Sequence, residues 1–187
     1  SLLSSQLEAG LSMDAIRANI KLAISGGQNE PRDAIAGTIG TLLENHSQLD
    51  SIISGSKTWL QAFEEYSRWM SPIGMSPRRI AKNFIYKNVE FYENDMIFFM
   101  FGSANRDEAI FQSPDYFDIS RDNGPSISFG AGPHFCAGAW ISKTLITEVA
   151  LPLFFSHFSN VYLKKPVEFK GWAFRGPKEV ILVNRNK

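Results

Sequence analysis

The chain is poor in the features that would sort it quickly. One cysteine in 187 residues leaves no internal disulfide to form, which fits a reducing, cytoplasmic setting. The three histidines, His46, His134 and His157, are scattered, and without a second cysteine a zinc site has no evident ligand set. Nineteen basic residues balance nineteen acidic ones, so no net field favours nucleic acid or an anionic membrane as a partner. No apolar run approaches the length of a membrane span. The opening "SLLSSQLEAG" lacks a basic region followed by an apolar segment. Internal repeats and low-complexity segments are missing as well. A soluble protein with neither a nucleic-acid nor a membrane partner is expected.

What is present suits one packed region, 1–187, since 44% of the residues are hydrophobic, enough for a sizeable core. "SMDAIRANIKLAIS" reads as a helix start, with Ser12 as cap, Asp14 at the positive dipole end, and Ile16, Ile20, Ala23 and Ile24 at the helical period. The pattern resumes in "RDAIAGTIGTLLEN" through Ile35, Ile39, Leu42 and Leu43, which predicts one long helix interrupted by "GGQNEP". "QLDSIIS", closed by Gly55, and "KTWLQAFEEYSRWM", ended by Ser71-Pro72, read as two further helices. "RRIAKNFIYKNVEFYENDMIFFMFGSANRD" is β-branched and aromatic and predicts two or three short strands with a turn at Glu93-Asn94-Asp95. "SPDYFDISRDNGPS" reads as a polar meander. The segment from Cys136 to Phe158 predicts a helix with Ala137, Trp140, Ile141, Leu145 and Val149 on its buried face. The end, "VYLKKPVEFKGWAFRGPKEVILVNR", reads as strands and a hairpin. The fold class expected is mainly α with small β-sheets.

The single cysteine sits in "FGAGPHFCAG", residues 129–138, at the mouth of that last helix. Unpaired N–H groups and the positive dipole end there suit a sulfur that serves as a metal ligand. Gly130 and Gly132 permit tight turns and the close approach of something flat and bulky; Gly138 removes a side chain where such a body would rest. A lone cysteine beside a glycine turn is more often simply structural. The full set Phe129, Gly130, Gly132, His134, Cys136 and Gly138 nevertheless resembles, position by position, the haem-binding loop of the cytochrome P-450 family.

Other stretches agree in order. "EEYSR" carries Glu65 and Arg68 three apart, similar to the family's Glu-x-x-Arg pair, and "SANRD" resembles the Ala-Asn-Arg-Asp segment of soluble bacterial members. The resemblance implies the C-terminal half of the family fold: a central kinked helix, the Glu-x-x-Arg helix, the meander, the cysteine loop and the helix after it. It implies haem b (iron protoporphyrin IX) as cofactor, with Cys136 as the proximal iron ligand, whose thiolate favours oxygen–oxygen bond cleavage. Arg79 of "RRIA" and His134 would pair with the haem propionates. Glu65, Arg68 and Arg121 would lock the core structurally.

This chain departs from the family where the central helix usually carries an acid followed by a threonine. Aligning Gly26-Gly27 with the family's small residues puts Asn29 at the acid position and Glu30 at the alcohol position, with Pro31 next. Pro31 donates no N–H and its ring crowds the carbonyl of Gly27, so an opening of the helix is expected there. Asn29 cannot ionise; Glu30 can, and is expected to replace the usual proton relay together with Asn29 and Gly26. Local capping or pairing of Glu30, with Arg32 or Arg78, is the plainer alternative. Family members that use hydrogen peroxide directly need no relay, so a peroxygenase is a second reading, although those enzymes often carry Arg-Pro here.

By resemblance, the substrate wall comes from the segment near Ile24, the loop "SPIGMSP" (Ile73, Met75, Ser76) and the turn "KGWAF" (Trp172, Phe174). Such a wall suits a small apolar or aromatic substrate, with aryl-ether O-demethylation as the specific expectation. These residues could equally be ordinary core. Electrons would come from a ferredoxin or reductase on the Cys136 face, where Lys143 could meet an acidic partner. The family fold is roughly twice this length. The chain is therefore expected to be the C-terminal portion of a monooxygenase whose N-terminal half is a further partner, or a haem-binding remnant without turnover.

Overall fold

A computed structural model describes residues 1–184, so Arg185 of the expected terminal hairpin lies outside the described residues. Four helices come first: α1 (Leu2–Glu8), α2 (Met13–Glu44), α3 (His46–Ile53) and α4 (Trp59–Met70). The hydroxyl of Ser12 accepts from Ala15 N at 3.3 Å and starts α2. Thr58 and Gln61 form a reciprocal capping box at the start of α4. Ser71, at φ +48°, ends α4 in the left-handed region, and its hydroxyl donates to Arg68 O at 3.1 Å.

The expected interruption of α2 does not occur, because the helix runs through "GGQNEP" with Pro31 inside it. A proline's φ is helical, and the carbonyl of Gly27 is the one acceptor deprived of a donor. The buried run from Ala34 to Leu43 holds the following turns against α4 and compensates for that loss. The core is built where the two helices meet, from Ala34, Ile39, Leu42, Ala62, Phe63, Tyr66 and Met70. A β-carbon on Gly37 would stand 1.9 Å from the Tyr66 hydroxyl, so only glycine lets this ring reach the α2 backbone.

Two antiparallel ribbons come next, one extending from the other. β1 (Ser76–Arg79) pairs with β4 (Met96–Phe99), and β2 (Phe84–Tyr86) pairs with β3 (Val89–Phe91). The β2–β3 turn uses Lys87 and Asn88 with φ +48° and +63°, the two-residue geometry that matches strand twist. A short helix, α5 (Phe101–Ala104), precedes the meander. Gln48 of α3 fastens the meander, donating to Phe117 O and accepting from Ile119 N, both at 2.8 Å.

After the cysteine loop the chain continues as α6 (Ala139–Thr144), a π-helical segment Leu145–Ala150, and α7 (Leu151–His157). The buried face here is Ala139, Ile146, Leu151 and Phe155, whereas Trp140 is 82% exposed and Ala137, Ile141, Leu145 and Val149 are exposed too. The sequence is apolar on both sides of this helix, and the wider π turn rotates the later residues, so periodicity picked the wrong side. Strands β5 (Val161–Leu163) and β8 (Leu182–Asn184) pair with each other, as do β6 (Phe169–Lys170) and β7 (Gly176–Pro177). No helix among the described residues is long and apolar enough to cross a membrane.

Thr38 and Thr41 are buried on α2, and neither hydroxyl has a partner among the described residues. A buried donor without an acceptor costs free energy that a methyl group of the same shape does not. Thr38→Val is therefore expected to stabilise the fold by about 1 kcal/mol, or a rise in Tm of about 2–4 °C. An unchanged or lower Tm would mean that the hydroxyl finds a partner, such as a buried water.

Candidate functional site

The centre of the structural lock is an ion pair with no access to water. Glu65 and Arg68 lie one turn apart on α4, both 0% exposed, and the guanidinium grips the carboxylate with two bonds of 2.8 Å, Nε to Oε2 and Nη2 to Oε1. The second Arg68 face donates to Asn105 O at 2.8 Å and Pro114 O at 2.9 Å. Glu65 Oε1 also accepts from Asp118 N at 2.9 Å and from Arg121 Nε at 3.3 Å. Beyond the two bonds within the pair, its groups are spent on Asn105 O and on the meander, which has no regular structure of its own.

Asn105 extends this lock to the cysteine loop. Its amide donates to Ser71 Oγ at 2.9 Å and Ser128 Oγ at 3.0 Å, and its carbonyl oxygen accepts from Ile127 N at 2.9 Å. Ser128 Oγ donates in turn to Ser67 O at 2.8 Å. The segment leading to Cys136 is therefore fixed to the end of α4. Nothing local to "SANRD" gives this asparagine a task; a fully buried side-chain amide has to spend both its donors and its acceptor.

The loop itself is shaped by two glycines with positive φ, Gly130 (+72°) and Gly132 (+64°). Gly130 N donates to Ile127 O at 2.9 Å, and Cys136 N donates back to Phe129 O at 2.8 Å, closing the loop on itself. Phe129 packs against Phe63 and Phe135, at ring distances of 6.2 and 6.4 Å. Cys136 is a free, exposed thiol. A β-carbon at Gly138 would come within 3.8 Å of its sulfur.

Cys136 faces a cavity of about 260 Å³ whose opposite wall is α2. Gly26, Glu30, Pro31 and Ala34 line that wall, while Phe129, Gly130, His134 and Cys136 line the loop side. Glu30 is partly buried and, among the described residues, its Oε2 has no hydrogen-bond partner. Asn29, one step round the helix, is exposed and does not line the cavity. Of the residues expected on the substrate wall, Ile73 and Ser76 line it; Ile24, Met75, Trp172 and Phe174 do not. The "SPIGMSP" loop and the "KGWAF" turn do meet, through the Ile73–Phe174 bridge and a bond from Gly74 N to Ala173 O at 2.9 Å. Phe63, Ser67, Pro72, Phe101, Ser128, Ser142 and Ile146, with Arg78, complete the lining, and apart from Pro72 and Arg78 none carried a sequence signal beyond polarity or size.

The two adjacent arginines of β1 fall on opposite faces of the strand. Arg78 lines the cavity but is already committed, to Ser76 Oγ, to Pro77 O and to the ring of Phe99. Arg79 is exposed and off the cavity lining, and among the described residues its guanidinium has no partner. Lys143, expected to be free for an acidic partner, instead donates to Glu64 Oε1 at 2.6 Å and lies over the Phe129 ring. One turn of α6 brings the ammonium back over the middle of α4, where Glu64 lies.

The comparisons with known proteins agree on the family. The Cytochrome P450 family model matches residues 60–176, which spans α4, both ribbons, the meander, the cysteine loop, the helices after it and strands β5 and β6. A cytochrome P450 of Bacillus subtilis (strain 168) is 33% identical over 165 residues, covering 86% of this chain and 40% of that protein. A steroid C26-monooxygenase of Mycolicibacterium smegmatis is 32% identical over 154 residues, covering 80% of this chain and 38% of that protein. Among solved structures, cytochrome P450 CREJ in complex with (4-ethylphenyl) dihydrogen phosphate superposes with a TM-score of 0.87 at 27% identity. It covers 98% of this chain and 47% of the solved one. The chain belongs to the cytochrome P450 family, and it spans about 40% of the length of the curated relatives it matches.

Members of this family bind haem b as haem-thiolate enzymes. The residues present fit that group. A free thiol stands on the cavity wall, two positive-φ glycines curve the loop beneath it, and the facing surface of α2 offers Gly26 and Ala34 where larger side chains would fill the space.

Proposed function

We propose that the whole protein is a haem-thiolate monooxygenase acting on a small apolar, aromatic substrate, with aryl-ether O-demethylation as the specific reaction and a ferredoxin or reductase as electron source. The observation that carries this reading is the pairing across one cavity of the Cys136 thiol with the unpartnered Glu30 carboxylate. When bound, haem b would supply an iron centre that activates dioxygen. Cys136 would hold the iron. His134, on the cavity wall, and Arg79, whose guanidinium is uncommitted, would pair with the propionates; Phe129, Gly130, Gly132 and Gly138 would shape the seat.

Glu30 lines the cavity and would hold and move the proton, its Oε2 being buried and, among the described residues, without a partner. Pro31, next in the chain, leaves the Gly27 carbonyl without its helical donor, so that it could hold a water. Asn29 is placed to steady water at the solvent side of α2. Ile73 and Ser76 would meet the substrate directly, one apolar and one with a single hydroxyl, while Met75, Ile24, Trp172 and Phe174 would flank its path. The solved neighbour bound to (4-ethylphenyl) dihydrogen phosphate, a small arene, is in keeping with this substrate class.

The test is the reduced, carbon-monoxide-treated spectrum of the whole protein, followed by turnover of methoxyarenes with ferredoxin and with peroxide. A Soret band shifted far to the red and formaldehyde released with ferredoxin are expected. A carbonyl band of the histidine-ligated kind would overturn the reading; turnover with peroxide alone would replace it by the peroxygenase. Glu30→Gln is expected to lower coupled turnover by about 10²–10⁴-fold, the range of general acid–base contributions, with substrate binding little changed. Undiminished product per electron consumed would remove Glu30 from the relay.

A further inference from the structure

Among the described residues, the side chain of Arg175 is a cation without an acceptor. It is partly buried where the turn after Gly171 meets the loop after α4, and its backbone N–H donates to Pro72 O at 2.8 Å. Two glycines make room for it. A β-carbon on Gly74 would stand 2.7 Å from Arg175 Cδ, and one on Gly102 would stand 2.6 Å from Nη1. Yet among the described residues no oxygen accepts from its guanidinium and no carboxylate pairs with it.

The neighbouring groups are already spent. Arg106 donates to Trp69 O and pairs with Asp115; the Asp33 carboxylate is held by Arg32; the Tyr66 hydroxyl donates to the Asp33 carbonyl. Burial, and then the positive charge of Arg106, push the Arg175 guanidinium below its ordinary value, with Tyr66 opposing them. A partly buried cation beside a second cation, with no counter-charge, is an incomplete arrangement that an anion would complete.

Its place says which kind of anion. Pro72, Ile73 and Phe101 line the cavity, and Arg175 lies immediately behind them, against Gly74 and Gly102. Trp172 and Phe174, in the same turn, present exposed rings. A planar fork of donors matches a carboxylate, and the exposed rings of the same turn offer apolar surface to the flat body that would carry it.

We propose that Arg175 forms an anion subsite at the edge of the substrate wall and takes the carboxylate of a small aromatic acid. Its service to a substrate rests on the monooxygenase reading; the binding itself does not. Isothermal titration of the whole protein with benzoate, and with the uncharged isostere benzamide, tests it without turnover. Wild type is expected to bind benzoate about tenfold or more tightly than benzamide, the worth of a charge-assisted pair. Arg175→Gln is expected to lose that preference while still binding benzamide, and Arg175→Lys to keep part of it.

Equal affinities in wild type would overturn the proposal even if the variants failed to fold. So would a benzoate preference that survives Arg175→Gln. Inorganic phosphate or chloride binding as tightly as benzoate and displacing it would reduce the site to an adventitious ion only. A benzoate preference in a protein without the red-shifted Soret band would keep the anion site and sink the monooxygenase reading. The opposite pair of results would do the reverse.

Discussion

Cys136→Ser is expected to remove the red-shifted Soret band of the reduced, carbon-monoxide-treated protein, and monooxygenase turnover with it. The reason is chemical rather than structural. Cys136 is the chain's one thiol, it is exposed on the wall of the cavity, and its sulfur takes no part in the fold. Serine keeps the loop's backbone bonds, including Cys136 N to Phe129 O, so stability should stay within about 0.5 kcal/mol. The far-ultraviolet circular dichroism and Tm should therefore be unchanged while the absorption spectrum is transformed. A variant that keeps the band would show that another group holds the iron.

Arg68→Ala carries the largest expected effect on stability. Removing one partner of a buried ion pair leaves the other charge desolvated and typically costs about 3–5 kcal/mol. A domain's whole stability is about 5–15 kcal/mol, so most of the margin disappears. The loss should exceed that of an ordinary pair, because Asn105 O and Pro114 O also forfeit their donor. A double change, Glu65→Leu with Arg68→Met, removes the buried charges but should not restore stability. Asp118 N and Arg121 would still lack their acceptor, and the meander would lose its anchor. Chemical denaturation of the single and double variants measures this; recovery of wild-type stability in the double variant would show that the meander stands without the pair.

The helix α4 was legible because it has local signals at both ends. Thr58 and Gln61 cap the start of α4, and Ser71-Pro72 ends it; both are visible as residue types at fixed spacing. The turn at Glu93-Asn94-Asp95, between β3 and β4, is marked by its residue types, and the irregular meander by its polarity. The break expected in α2 was misplaced because one proline removes one hydrogen bond, whereas the helix is held by the buried surface from Ala34 to Leu43. The face of the helix after Cys136 was misread for a related reason. Its apolar residues run on two sides, and only packing against α4 selects Ala139, Ile146 and Leu151 over Trp140 and Ile141.

The sequence by itself determined the class of site. The glycines, histidine and cysteine of "FGAGPHFCAG" carry the resemblance to the family's haem-binding loop, which is legible because turn geometry and ligand chemistry act over a few adjacent residues, and it is that resemblance that implies the haem. It also marked Glu30 and Asn29 as the departure that distinguishes this chain. Only the tertiary structure decided which of that pair faces Cys136, which of Arg78 and Arg79 is already committed, and that Lys143 is held by Glu64. It alone put Asn105 at the junction of helix, meander and loop, and left Arg175 without a counter-charge. The physical reason is common to all of these. Whether a polar group is satisfied depends on atoms brought close by folding from far along the chain, and no local pattern encodes which ones arrive.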